Sequence, residues 1–179
     1  MKTLQLICVC IASAALLSAC SGNSGTPSSG FANEPSWVTN PIKGCGVGSA
    51  KYRGIRDLTR KAAIASARDD LARQLKVKVE GMIKTYQAMG EAEGKEFSEE
   101  QTSRVSRNIV STTLVGTIPK KNAMVGKDYY STVCLDPAVF ADAFDKMNDM
   151  SQKMRSALKK RAKAEFADLD KQLERLDGE

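Results

Sequence analysis

The sequence predicts an α+β fold: a small three- to four-stranded sheet packed by helices, followed by a long C-terminal α-helix. Two patterns predict the mixture. Apolar residues recur at three- and four-residue steps in some windows and alternate in others, which are the periods of a helix face and of a half-buried strand. The third observation is Asp136-Pro137, an N-cap residue followed by proline at the first helical position, after which no glycine or proline occurs until Gly178.

The chain opens on what reads as a signal rather than fold. Lys2 is followed by an apolar run over residues 4–17 and then Ser18-Ala19-Cys20. The run is too short to span a bilayer and has the charged start and small-residue end of a secretory signal, so residues 1–19 are expected to be removed. Leu17-Ser18-Ala19-Cys20 matches the bacterial lipobox, whose cysteine is acylated. Sulfur suits this role because a thiolate carries a diacylglyceryl thioether readily. Each buried methylene adds about 0.8 kcal/mol, so two or three acyl chains on Cys20 make a lasting anchor. Residue 21 is Ser and not the Asp that commonly retains lipoproteins in the inner membrane, so the resemblance to lipoproteins implies the outer membrane. Residues 20–34 are Ser/Gly-rich and cannot build a core; as a flexible coil they reach roughly 20 Å, which keeps the folded part, on the periplasmic side, near the membrane.

Elements follow in order. Residues 42–49 read as a short glycine-containing strand. Over 56–75, Ile64, Ala67, Leu71 and Leu75 give a helical face widened by Ala62, Ala63 and Ala65. Val77, Val79 and Ile83 then share one parity, with Lys76, Lys78, Glu80 and Lys84 on the other, so 76–87 is expected as a strand. Residues 89–96 form a polar turn. Ser98-Glu99-Glu100-Gln101 has the capping-box pattern and opens a helix over 99–110. Residues 112–124 and 127–135 read as two strands meeting near Gly126. A helix over 137–176 would contain about 40 residues and extend roughly 60 Å. Phe140, Phe144, Met147, Met154 and Leu158 mark one stripe on it, resumed by Ala162, Phe166, Leu169, Leu173 and Leu176. So long a stripe exceeds what a compact domain covers. Phe166, Leu169, Leu173 and Leu176 are therefore expected to contact another copy as a coiled coil, the alternative being a solitary amphipathic tail. The organisation is thus signal 1–19, acylated cysteine and linker 20–34, α+β domain 35–136 and helix 137–179.

Composition narrows the chemistry. The chain has no histidine, which removes the usual general base, the Ser-His and Cys-His pairs and the commonest zinc ligand. No catalytic residue, no metal site and no cofactor beyond the covalent lipid is expected. Of five cysteines, Cys8 and Cys10 leave with the signal and Cys20 is acylated. Cys45 and Cys134 remain, and in an oxidising compartment two thiols point to a disulfide, with an unpaired buried pair as the open alternative. They lack the Cys-x-x-Cys spacing of a redox motif.

Other motifs in the chain carry weaker signals. Gly44-x-Gly46-x-Gly48 does not run directly into a helix and lacks a terminal G-K-[ST], so it is neither a dinucleotide fingerprint nor a P-loop. Its glycines instead permit close approach of a neighbouring backbone or ring. Ser156-x-x-Lys159 matches the serine–lysine pair of penicillin-binding enzymes but sits mid-helix without its companion motifs. Lys159, Lys160, Arg161 and Lys163 form a basic cluster, read as a solvated face or as a weak contact with peptidoglycan or anionic lipid. No aromatic side chains interleave it, so nucleic acid is not an expected partner despite a net charge of +6. Trp37 lies between Pro35 and Pro41, where a ring covers a core edge or stacks on a sugar.

The succession Pro35-Ser36-Trp37, Gly44-x-Gly46-x-Gly48-Ser49, Ala63-x-x-x-Ala67-Arg68-x-x-Leu71-Ala72, Val77-x-Val79 and Tyr129-Tyr130 resembles the LPP-twenty family of bacterial lipoproteins over about 100 residues, 35–135. That family is similar in fold to the N-terminal domain of the flagellar assembly protein T. The resemblance implies a non-enzymatic outer-membrane lipoprotein. The lipobox and long C-terminal helical stretch resemble the flagellar branch, called flagellar protein P, which builds basal disks or rings. It implies a homo-oligomer, with other flagellar ring proteins as partners and a role in motility. The Cys45/Cys134 pair does not map onto the family. An adaptor lipoprotein that activates a cell-wall synthesis enzyme is the rival expectation.

Overall fold

The structure, a computed structural model, describes residues 33–90 and 96–178. The expected signal, Cys20, most of the linker and the centre of the expected 89–96 turn lie outside the described residues. The fold is α+β, with one three-stranded antiparallel sheet and helices around it.

A single short turn of helix, α1 (Ser36–Thr39), precedes strand β1 (Cys45–Lys51), and β1 leads into helix α2 (Arg56–Ala88). Helix α3 (Glu99–Val115) returns antiparallel along α2: Gln87 Nε2 donates to the Phe97 carbonyl, and at the far end Arg68 Nε donates to Thr117 Oγ1. Strands β2 (Ile118–Val125) and β3 (Asp128–Cys134) form a hairpin through Gly126, whose φ of 60° suits glycine. The sheet order is β1-β3-β2, so β3 is central and pairs antiparallel on both sides, with Cys45 opposite Cys134 and Gly48 opposite Ser131. Lys120 falls at a register shift in β2.

The expected strand at 76–87 is instead the second half of α2. Leu75, Val79 and Ile83 continue the four-residue step of Ala63, Ala67 and Leu71, and all six are buried, whereas Val77 is 73% exposed. Each four-residue step overshoots a helical turn by about 40°, so between Thr59 and Ile83 the buried stripe winds roughly 240° around α2. Its first half faces β1 and its later residues meet α3 and α5, so burial holds the β-branched residues in a helix despite their strand preference. Helix α3 likewise extends beyond its expected end, so residues 112–115 are helical and β2 starts at Ile118. The sheet therefore has three strands.

The C-terminal region is helical as the sequence predicts, but not as one rod. It comprises α4 (Pro137–Ala143), a 3-10 turn (Phe144–Lys146), α5 (Gln152–Glu165) and α6 (Leu169–Gly178). Asp136 caps α4, its Oδ1 accepting from Ala138 and Val139 N–H. The break at 147–151 uses Asn148, Asp149 and Ser151, turn and cap formers that end a helix without glycine or proline. Ser151 Oγ accepts from Met154 N–H and starts α5, while Arg155 Nη1 donates to the Met147 carbonyl. In a continuous helix Phe140 and Phe166 would lie roughly 39 Å apart. Their rings meet edge to face at 5.3 Å. Folding back lets the chain bury its own stripe: Phe166, Leu169, Leu173 and Leu176 are 2–7% exposed and belong to the core that holds Trp37, Cys45 and Phe140. The coiled-coil contact expected of those four residues is thus an intramolecular one.

Candidate functional site

The glycine-rich strand is where the chain's parts converge. A Cβ at Gly46 would lie 2.2 Å from the Ala67 carbonyl oxygen, and one at Gly48 would lie 2.1 Å from the Ala67 nitrogen. Both obstacles are backbone, so only glycine lets α2 rest directly on β1. Ala63 and Ala67 complete that contact from the helix side, both fully buried. The outward edge of β1 is then closed by α2 side chains: Val47 N–H donates to Asp70 Oδ2 at 3.2 Å, and Gln74 Nε2 donates to the Cys45 carbonyl at 3.5 Å.

The opposite face of β1 carries Cys45, bonded to Cys134 of β3. Leu135 N–H donates to the Gly44 carbonyl, and the alternation of an antiparallel ladder then makes Cys45 and Cys134 a non-hydrogen-bonded pair. That geometry brings facing side chains closest, and the Cα atoms are 4.0 Å apart. Both sulfurs sit in the core, 1% and 2% exposed as residues. Beside them Gly44 turns at φ 90° under the Phe166 ring. A recess of 470 Å³ opens beyond Cys134, lined by Lys120, Lys163, Asp136 and Asp170 among others.

Two carboxylate–ammonium clusters lie outside the core. Glu165 at the end of α5 bonds Lys43 at 2.6 Å and Lys78 at 2.5 Å, joining the segment before β1 to α2. Partial burial opposes ionisation of Glu165, but the two ammonium groups outweigh it and hold its carboxyl below the ordinary value. Lys159 bonds Asp142 and Asp145, and these hydrogen bonds raise its pKa while lowering that of Asp142. The Ser156-x-x-Lys159 motif therefore has its ammonium tied to carboxylates rather than to Ser156. Arg161 lies over the Tyr86 ring at 5.8 Å, leaving Lys160 and Lys163 as the exposed members of the basic cluster. Tyr130 donates to Glu34 Oε1 at 2.6 Å, and this bond, with burial, lifts its pKa to about 12. Trp37 is buried and lines a recess with Ile42 and Leu176, so it covers a core edge.

The sequence-predicted site residues thus fall into three groups. Cys20 lies outside the described residues; Cys45 and Cys134 are brought together; Phe166, Leu169, Leu173 and Leu176 are turned inward. The Lys43–Glu165–Lys78 bridge was invisible in the sequence, because its members lie on three separate elements with no local spacing rule. Among the described residues, no group of three or more His, Cys, Asp or Glu could hold a metal, and no helix is long and apolar enough to cross a membrane. The outer edge of β2 receives no side-chain hydrogen bond from the described residues, and Ile118 and Met124 on that strand are 58% and 46% exposed. Compared with models of known protein families and with curated proteins, the chain matches none.

Proposed function

We propose that this chain is a non-enzymatic outer-membrane lipoprotein, held by acyl chains on Cys20, and a structural component of an envelope ring or disk that supports flagellar motor assembly and motility. The observation that carries the reading is Leu17-Ser18-Ala19-Cys20 at the end of a short apolar leader. The Cys45–Cys134 bond supports it, since structural disulfides persist in oxidising compartments. In this reading copies meet through the outer edge of β2, because the helical stripe is consumed by the chain's own core. Lys120 at the register shift and Pro119 limit that edge to a short, specific pairing rather than open-ended growth. A deletion strain would swim poorly and grow normally; unaltered swimming would overturn the flagellar role.

The inward turn of Phe166, Leu169, Leu173 and Leu176 favours a second reading, an adaptor lipoprotein that activates a cell-wall synthesis enzyme as a single copy. Stoichiometry separates the two. Detergent-extracted protein seen as rings or disks by negative-stain microscopy supports the structural role, and monomers co-purifying with one enzyme support the adaptor.

A further inference from the structure

We propose that the cleft between α2 and α3 binds a single-chain alkyl phosphate, a ligand with one apolar tail and one doubly charged head. This site is independent of the ring or adaptor role. The two helices run antiparallel, and Ala72 on α2 faces Val110 and Leu114 on α3, leaving an apolar floor. Ala72 is the reason the floor is open: its methyl group does not fill the space that a larger side chain would take. Three cations, Arg73, Lys76 and Arg107, rim this floor, and no acidic residue lines it.

The rim is available to a ligand. Arg107 is exposed and makes no ion pair among the described residues. Arg73 pairs with Asp70 at 3.3 Å and Lys76 with Glu80 at 4.0 Å, both within α2 and with the cationic partner more than half exposed. Such pairs contribute little and exchange readily for a ligand anion. Asp70 Oδ2 accepts from Val47 N–H and Gln74 Nε2, so only its Oδ1 faces the rim, where it meets Arg73.

Size and charge together identify the occupant. The cleft is an open groove of about 320 Å³, at the lower end of small-ligand pockets, whereas a stable protein partner buries about 800 Å² on each side. One alkyl chain fits this space better than a helix. Three cations around one anionic head suit a phosphate monoester, with its charge near −2 and three acceptor oxygens, better than a singly charged carboxylate.

Calorimetric titration of the non-acylated chain from Ser21 onward tests the assignment, since its core is enclosed between Trp37 and Leu176. Dodecyl phosphate, kept below the concentration at which it forms micelles, is expected to bind at one site per chain. Dodecanoate is expected to bind about tenfold more weakly, and dodecyl maltoside, with the same tail and no charge, not to saturate. Arg107→Glu should weaken dodecyl phosphate binding by about tenfold or more, and Ser111→Trp, which fills the cleft mouth, should abolish it. Both residues are exposed, so circular dichroism of each variant should match the parent. Equal binding of the neutral maltoside, equal binding of dodecanoate, insensitivity to both substitutions, or no saturable binding at all would each overturn the proposal; the last would leave the cleft to an acidic protein segment.

Discussion

Gly48 shows how much a single missing carbon decides here. Its hydrogen faces the Ala67 nitrogen and the Ala63 carbonyl oxygen, at 2.1 and 2.5 Å from where a Cβ would stand. A flexible side chain could move aside, but helix backbone cannot without shifting the whole of α2 on the sheet. Gly48→Ala is therefore expected to cost about 3 kcal/mol or more, read as a lowered urea midpoint with an unchanged slope. Gly126→Ala provides the contrast: nothing lies within 4 Å of its Cβ position, so only its positive φ of 60° opposes the change, at about 1 kcal/mol. The role of the glycine run was legible in the sequence because a phosphate cradle makes positional demands that the run does not meet. Ser131, opposite Gly48, was not legible: its buried hydroxyl has no hydrogen-bond partner among the described residues, which no spacing in the sequence records.

Among the elements, caps were legible and breaks were not. The Ser98–Gln101 box forms as the pattern predicts, Gln101 N–H donating to Ser98 Oγ and Ser98 N–H to Gln101 Oε1, because capping depends on residues three apart. The turn at 147–151 depends instead on whether the core can draw Phe166 back onto Phe140, a tertiary gain that no local spacing records. The misread strand at 76–87 has the same origin, since the charged alternation is real and the four-step burial overrides it. Glu165 fastens the returned helix, and its charge state sets a pH dependence. Its pKa is lowered on folding, so its stabilisation is complete above the ordinary value of 4.5 and is lost as pH falls through the lower folded value. Glu165→Gln should cost about 1 kcal/mol at pH 7 and progressively less as the solution is acidified below pH 4.5, measured as paired urea midpoints. A difference that stays constant with pH would mean that packing, not charge, accounts for it.

For the whole molecule, the disulfide joins the first strand to the last across 89 residues of sequence, enclosing α2, α3 and the hairpin. Closing so long a loop restricts the unfolded chain, and by that argument reduction should lower the unfolding free energy by about 4 kcal/mol. Oxidised and reduced protein compared in urea would show it; coincident curves would mean that the core alone sets stability. The pairing of Cys45 with Cys134 was a candidate from composition and compartment, but only the register of β1 on β3 places the two residues opposite each other. Compartment in turn rests on Cys20. Intact-mass spectrometry of the processed protein taken from the membrane fraction tests that residue most directly. The account predicts a polypeptide that begins at Cys20 and carries the added mass of a diacylglyceryl group and an amide-linked acyl chain; a chain of unmodified mass with a bare thiol, or one still starting at Met1, would contradict it.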